Sequence, residues 1–465
     1  MNGLFSKILE KSGPKYLAIA DAIEESVALG LLQGGDRLPT QRKMAEALGI
    51  TVGTVNRAYA EAEKRKLIKG VVGAGTTVLE SGLNQKGGGR FGEVVPGLID
   101  FSLSVPAVPV NAEEAAVFRE GFERLANSPR LGPLLEVQPQ AGRDDHRLAG
   151  AQWISRAGYS VDPEQVLICC GGQHAMATVF SAIAQPGDVV AAECLSYPAV
   201  KGLAHLLHLR LEGLPMDGEG LIPEAFEALC KRQKVRLLYT IPTVQNPTNA
   251  LMGESRRRQV AAIAQRFGVD VVEDDTYGLL PEKPHRPISS FCPERGYYLM
   301  GLSKLVAPGF RVGFLAAPRE KVKRLAASIW ATTWMAPPPM AEVICRWIFD
   351  GTMERFVAWK REFVAARGAV LQRVLSPFQP IVPSHAFHCW FPLPPPWRNI
   401  DFVARTRERG LLLASAEDFA VGSEPVPHAV RISYSAVASD GELEAGLHKL
   451  VDILSLPPVP GAGLA

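Results

Sequence analysis

The stretch Gly301-Leu-Ser-Lys-Leu-Val-Ala-Pro-Gly-Phe-Arg-Val-Gly313 sets a lysine among small residues just past an apolar run, Tyr297 to Met300. An arginine follows seven residues later, beyond a Pro-Gly turn. An amine becomes a nucleophile toward an aldehyde when its neighbours depress its pKa. An arginine offers a phosphate a rigid, doubly hydrogen-bonding cation. Lys304 and Arg311 together suit a phosphorylated aldehyde, and pyridoxal 5′-phosphate (PLP) held on Lys304 as a Schiff base is the candidate ligand. The competing reading is a solvated loop that carries both cations for no chemical reason.

Further polar groups bear on that choice. In Val271-Val-Glu-Asp-Asp-Thr-Tyr277 three acids in a row end an apolar run, and such groups are costly to bury unless a cation meets one of them. A protonated ring nitrogen is such a cation, and Asp274 is its candidate partner, keeping the ring an electron sink. Glu273 and Asp275 point the other way on a strand and are expected to serve structure. Asn246, within Pro242-Thr-Val-Gln-Asn-Pro-Thr-Asn249, offers a donor and an acceptor to a phenolic oxygen. Gly171-Gly172-Gln173-His174-Ala175 reads as a strand-to-helix turn whose N–H groups and helix dipole cradle an anion. His174 is expected to pack rather than catalyse. Tyr197, before Pro198, suits stacking on a flat heterocycle, with ordinary core packing an equal alternative.

These residues need a scaffold that gathers strand ends. Apolar strands are expected at Val166–Cys170, Val189–Ala192, Val235–Ile241, Val269–Glu273, Tyr297–Met300 and Val312–Ala316, alternating with amphipathic helices. That rhythm predicts an α/β body with a largely parallel sheet covered on both faces, and ligands of such sheets sit at strand ends. Near the C-terminus, Arg431 in the apolar run Val430-Arg-Ile-Ser-Tyr434 requires an anion.

The first eighty residues read differently. Tyr16 to Leu32 carries Ile19, Ile23 and Val27 at helical spacing and stops at Gly34-Gly35-Asp36. A second helix is expected behind Thr40 as N-cap, with Met44, Ala45 and Leu48 on one face and Gly49 as its left-handed end. A third starts near Thr51, turning Val55, Ala58, Tyr59 and Ala62 inward and Gly53, Asn56 and Arg57 outward. Two short helices about a tight turn make a helix-turn-helix, whose second member enters the major groove. Leu67-Ile68-Lys69, a turn from Gly70 to Gly75 and Thr76-Thr77-Val78 then read as a wing hairpin. The alternative is a helical dimerisation module.

The segment Ser81–Pro96 is glycine-rich and reads as a flexible tether. The domains expected are a DNA-binding head at 12–80, a linker at 81–97 and a PLP-binding body at 98–465, whose small subdomain starts near 340. At 465 residues, 47% hydrophobic and 21% charged, the chain is globular and too long for one core. Residues 1–80 hold the whole net charge of +2, a slight basic excess compatible with nucleic acid. Seven cysteines without C-x-x-C spacing indicate neither a disulfide framework nor a zinc site. No run of eighteen apolar residues and no signal-peptide core are present, so a cytoplasmic protein without membrane attachment is expected.

Leu38-Pro-Thr-Gln-Arg-Lys-Met-Ala45, Thr54-Val-Asn-Arg-Ala-Tyr59 and Gly73-Ala-Gly-Thr76 resemble the DNA-binding head of the GntR family. The resemblance implies DNA contacts from Arg42, Thr54, Asn56 and Arg57. Val52 and Gly53 stand where basic or polar residues are common in that family. From Ile99 to Leu454 the chain resembles the fold-type I, class I/II aminotransferases. That implies Lys304 as Schiff base, Asp274 on the pyridine nitrogen, Asn246 and Tyr277 on the phenolic oxygen, and Tyr197 stacked on the ring. It also implies Gly172, Gln173, Ser303 and Arg311 on the phosphate and Arg431 on a substrate carboxylate. Two departures stand out: Val137 replaces a tyrosine that reaches the partner subunit's phosphate, and Gly301 replaces a phosphate-side serine. Head and body together resemble the MocR subfamily of GntR regulators. The resemblance implies a homodimeric, PLP-binding transcription regulator of double-stranded operator DNA that senses PLP, an amino acid or an amine. The rivals are a working aminotransferase with an appended head, and a DNA-binding protein whose body no longer holds PLP.

Overall fold

The computed structural model describes residues 14–28, 32, 36–65, 67–71, 75–78, 98–383, 385–422 and 424–456. The chain divides into two compact units, a head within Met1–Glu93 and a body within Val94–Ala465. The expected tether at Ser81–Pro96, the Gly34-Gly35 stop, Gly73-Ala74 of the wing turn and the side chain of Val27 lie outside the described residues.

The head has three helices, α1 (Lys15–Ala28), α2 (Gln41–Leu48) and α3 (Val52–Lys64). α1 ends at Ala28 rather than at Leu32, whose N–H instead donates to the Ser26 carbonyl at 3.1 Å. Thr40 caps α2 by accepting from the Lys43 N–H, and Gly49 ends it in the left-handed region at φ 63°, ψ 34°. That conformation returns the Ile50 N–H to the Ala45 carbonyl at 3.0 Å and sets the tight turn between α2 and α3. Ile19, Ile23, Met44, Val55, Ala58, Tyr59 and Ala62 close one core with Ile68 and Val78. The last two sit on a two-stranded antiparallel wing, β1 (Ile68–Val71) and β2 (Gly75–Val78). Arg65 ties α1 to α3 through Asp21, Glu24 and Glu61 at 2.6, 2.9 and 3.0 Å.

The body opens with β3 (Ile99–Asp100) and helices α4 (Ala112–Ala126) and α5 (Asp144–Ser155). Its large sheet uses β4 (Val166–Cys169), β5 (Val189–Glu193), β6 (Arg210–Leu214), β7 (Val235–Thr240), β8 (Asp270–Asp274), β9 (Gly296–Gly301) and β10 (Gly313–Ala316). The spatial order is β4-β10-β9-β8-β7-β5-β6. β10 alone runs antiparallel to its neighbours, and the other paired strands share one direction. Six strands follow the apolar runs of the sequence. The seventh, Arg-Leu-Glu-Gly-Leu at the edge, is partly polar and was not expected.

Both faces of the sheet are covered, which is why its strands read as apolar runs rather than as alternation. On one face α6 (Gly172–Ile183) lays Met176, Val179 and Phe180 against Tyr239, Leu299 and Leu315. On the other, Trp153 and Ile154 of α5 meet Tyr298 and Phe314. A smaller antiparallel sheet comprises β11 (His388–Pro392), β13 (Ala414–Ser415) and β14 (Ala429–Ser433), with β14 central. Between β11 and β13 in sequence, β12 (Leu411–Leu412) pairs parallel with β3. That pairing fixes the chain just past β3, Ser102 to Ser104, beside the small sheet.

Candidate cofactor site and nucleic-acid interface

The polar residues of the body converge where β4, β7, β8 and β9 end. Asp274, the last residue of β8, accepts from the Tyr239 hydroxyl of β7 at 2.9 Å, the Thr276 hydroxyl at 2.7 Å and the Thr276 N–H at 3.3 Å. Its neighbours point away, as a period of two requires. Glu273 is buried and accepts from the Ile288 N–H, the Ser289 N–H and the Ser289 hydroxyl at 2.8–2.9 Å. Burial pushes its carboxyl up to about 7, against the pull of Arg257. Asp275 accepts from the Tyr298 hydroxyl at 2.7 Å. Both acids are structural, which leaves Asp274 free to face the site.

Lys304 lies three residues past β9, partly buried, with its Nζ donating to the Ser104 carbonyl. Burial and then the positive charge of Arg431 lower its pKa to about 7, while Asp274 pulls it the other way. The Tyr277 hydroxyl sits 3.1 Å from Ser104 Oγ, and burial moves it up to about 12. His388 Nδ1 lies 3.4 Å from the same Ser104 Oγ. Burial first, then the cations of Arg431 and Lys304, hold His388 well below the usual imidazole range. Arg431, on β14, donates from one terminal nitrogen to Asn246 Oδ1 at 2.7 Å and from the other to the Ser102 carbonyl. Its guanidinium lies 4.8 Å from the centre of the Phe419 ring, and burial lowers it to about 10. Its Nε is buried without a protein acceptor. An arginine Nε beside free N–H valences is the donor set a carboxylate takes in a forked bond.

Beyond β4 the chain turns at Gly171, φ 82°, into α6. The first N–H groups of a helix have no intrahelical acceptor, so Gly172 and Gln173 present donors at the positive end of α6. Arg311, left-handed at φ 50°, ψ 45°, brings its guanidinium within 3.1 Å of where a Cβ of Gly171 would stand and donates to the Cys170 carbonyl at 2.9 Å. A non-glycine residue in that conformation stores strain, which functional sites commonly hold. A Cβ on Gly301 would lie 3.2 Å from both Gly172 N and Thr276 Oγ1, a tight fit in which these neighbours must give by a few tenths of an ångström. Ser303 adjoins Lys304 and is partly buried. Tyr197 begins the helix α7 (Pro198–Leu206), and burial followed by the charge of Asp274 raises its phenol. His174 Nδ1 accepts from the Cys170 N–H at 3.0 Å while Nε2 lies 2.9 Å from Thr332 Oγ1, a packing role.

The body thus draws Asp274, Lys304, Tyr277, Asn246, Arg431 and Tyr197 into one neighbourhood, and sets Gly172, Gln173 and Arg311 around one turn. Ser102, Ser104, Tyr239, Thr276, His388 and Phe419 belong to the same neighbourhood and escaped sequence reasoning. Tyr239 carried a usable signal, since alternation along Val235–Thr240 turns it to one face of the sheet. The two serines carried none.

In the head, Arg42 and Lys43 are exposed on α2, and Thr51, Val52, Gly53 and Asn56 are exposed at the front of α3. Thr54 Oγ1 is engaged with Thr51 Oγ1 at 2.9 Å. Arg57, though exposed, lies with its guanidinium 4.3 Å above the Tyr16 ring, a cation–π contact that anchors it to α1.

A winged helix-turn-helix and a fold-type I transferase body are therefore joined in one chain. Residues 110–450 match the family of aminotransferases class I and II, and residues 15–78 match the bacterial regulatory proteins of the gntR family. The chain belongs to the class I and II aminotransferase family, and its fusion to a GntR head is the MocR architecture. The uncharacterized HTH-type transcriptional regulator YdeF of Bacillus subtilis (strain 168) is 28% identical over 451 residues, 95% of each chain. Among solved structures, an archaeal alanine:glyoxylate aminotransferase shares the fold at TM-score 0.70 and 24% identity, covering 77% of this chain and 90% of its own. LysN, the alpha-aminoadipate aminotransferase of Thermus thermophilus complexed with N-(5'-phosphopyridoxyl)-L-leucine, aligns at TM-score 0.69 and 25% identity, covering 77% and 92%. Among the described residues no helix is long and apolar enough to cross a membrane.

Proposed function

We propose that the chain is a cytoplasmic, homodimeric transcription regulator whose body holds PLP and whose DNA affinity answers to PLP or to an amino acid or amine bound beside it. One observation carries the reading: a lysine held near pKa 7 between Arg431 and Asp274, with the buried Arg431 Nε lacking an acceptor. The residues present fit the cofactor. Once bound, PLP supplies an aldehyde that amines attack and a ring that withdraws electrons.

The side chains divide the remaining work. Lys304, whose pKa burial and Arg431 bring down to about 7, is the attachment point. Asp274, fixed by Tyr239 and Thr276, holds the proton of the ring nitrogen. Asn246 and Tyr277 serve the phenolic oxygen and Tyr197 covers the ring. Gly172, Gln173, Ser303 and Arg311 take the phosphate, and Arg431 takes an effector carboxylate. Arg42, Thr54, Asn56 and Arg57 face DNA, with Arg57 constrained by Tyr16.

A ligand alters DNA binding only through different affinities for two arrangements of the protein. The test is binding of the full-length protein to DNA upstream of its own gene, titrated with PLP and then with amino acids at fixed salt, because phosphate contacts are salt-sensitive. Ligand-modulated, sequence-selective binding supports the regulator. Binding no better than to unrelated DNA, together with turnover of an amino acid against a keto acid, supports the second reading, an active aminotransferase. The joint presence of Lys304, Asp274 and Arg431 favours keeping that reading in the test.

A further inference from the structure

Among the described residues of the head, Val52 is the large apolar side chain that stays exposed, at 40%. Val55, Ala58, Tyr59 and Ala62 of α3 are buried in the head core. Val52 is the first residue of the helix that follows the tight turn, where a helix-turn-helix meets base edges. Its surroundings offer little to hydrogen-bond a base. The Thr51 hydroxyl accepts from the Thr54 N–H at 3.2 Å and lies 2.9 Å from Thr54 Oγ1, so one of the two hydroxyl protons is spent between them. Arg57 is drawn onto Tyr16. A Cβ added at Gly53 would meet nothing nearer than Thr51 Oγ1 at 3.8 Å, so the backbone beside Val52 is bare and open to close approach. Asn56, one turn further on the same face, is exposed. The cations Arg42, Lys43 and Lys69 are exposed on α2 and β1, apart from the first turn of α3.

An isopropyl group at that point cannot satisfy the paired acceptors of guanine, which take arginine or lysine. The apolar feature of the major groove is the 5-methyl group of thymine. We propose that Val52 is a specificity-determining residue that reads the 5-methyl group of one thymine in each operator half-site. The proposal rests on the DNA-binding reading of the head. Burying one methyl against Val52 is expected to contribute about three- to fivefold in affinity, from about 0.8 kcal/mol per methyl-sized group.

Full-length protein would first select duplexes from a random pool at fixed salt. In the selected site each thymine would then be replaced singly by deoxyuridine, which removes the methyl and leaves base pairing intact, and Kd measured for wild type and Val52→Ala. The expected result is one thymine per half-site at which deoxyuridine weakens the wild type about three- to fivefold and leaves Val52→Ala unaffected. A 5-methylcytosine·guanine pair there should recover part of the loss in wild type only. Equal sensitivity of both proteins at every thymine, no sensitive thymine, or a guanine fixed at that position would overturn the proposal. Val52 is exposed, so its removal leaves the head core intact, and an unchanged circular dichroism melt checks this. A pool that yields no enriched sequence would instead sink the DNA-binding reading on which the proposal stands.

Discussion

Replacing Lys304 by methionine should make the ligand-free protein more stable near neutral pH. Lys304 titrates at about 7 in the folded chain against an ordinary 10.5. At about 1.4 kcal/mol per tenfold change, holding the charged amine in place costs the folded state up to about 5 kcal/mol. Its side chain is partly open to water, which eases the cost, so a gain of about 2–4 kcal/mol is expected. The sign follows from proton counting. Between about 7 and 10.5 the unfolded chain holds the lysine proton and the folded chain does not, so wild-type stability rises with pH across that window. The cost is whole below about 7 and gone above about 10.5, and the methionine variant lacks this dependence. Urea unfolding followed by tryptophan fluorescence measures the difference cleanly, because all seven tryptophans lie between Trp153 and Trp397, in the body. A methionine variant less stable than wild type near pH 6, or a difference unchanged between about pH 6 and 10, would refute the electrostatic account of this lysine.

Three further outcomes are expected. Arg42→Ala should weaken DNA binding and reduce the slope of log affinity against log salt by about 1, leaving PLP retention intact, as gel shift and cofactor release would show. Gly301→Ser should cost about 1–3 kcal/mol in urea unfolding and loosen PLP, because its Cβ would press on Gly172 N and Thr276 Oγ1 at 3.2 Å; a neutral result would mean the cradle has room after all. Tyr239→Phe removes a 2.9 Å donor from Asp274, so equilibrium dialysis should find PLP held more weakly by about 0.5–1.5 kcal/mol while DNA affinity without PLP is unchanged.

The candidate site was legible because its polar residues stand at punctuation marks. Asp274 ends an apolar strand and Lys304 and Gly171-Gly172 follow one, and strand ends are where an α/β sheet presents ligands, so local pattern alone brought them forward as candidates. The helix-turn-helix was equally plain, since Thr40, Gly49 and Thr51 are caps whose side-chain or backbone chemistry acts within a few residues. Short-range physics of this kind is written in the sequence. Ser102, Ser104 and His388 were not legible, because they join the candidate site only through the pairing of β3 with β12, some 300 positions away, and of β11 with β14. The crowding around Gly301 and the withdrawal of Arg57 onto Tyr16 were hidden for the same reason. The sequence by itself determined which groups could do chemistry and on which elements they ride. Tertiary structure decided which of them meet, what each already bonds and which donors are left over, because those depend on packing between segments that no local pattern records.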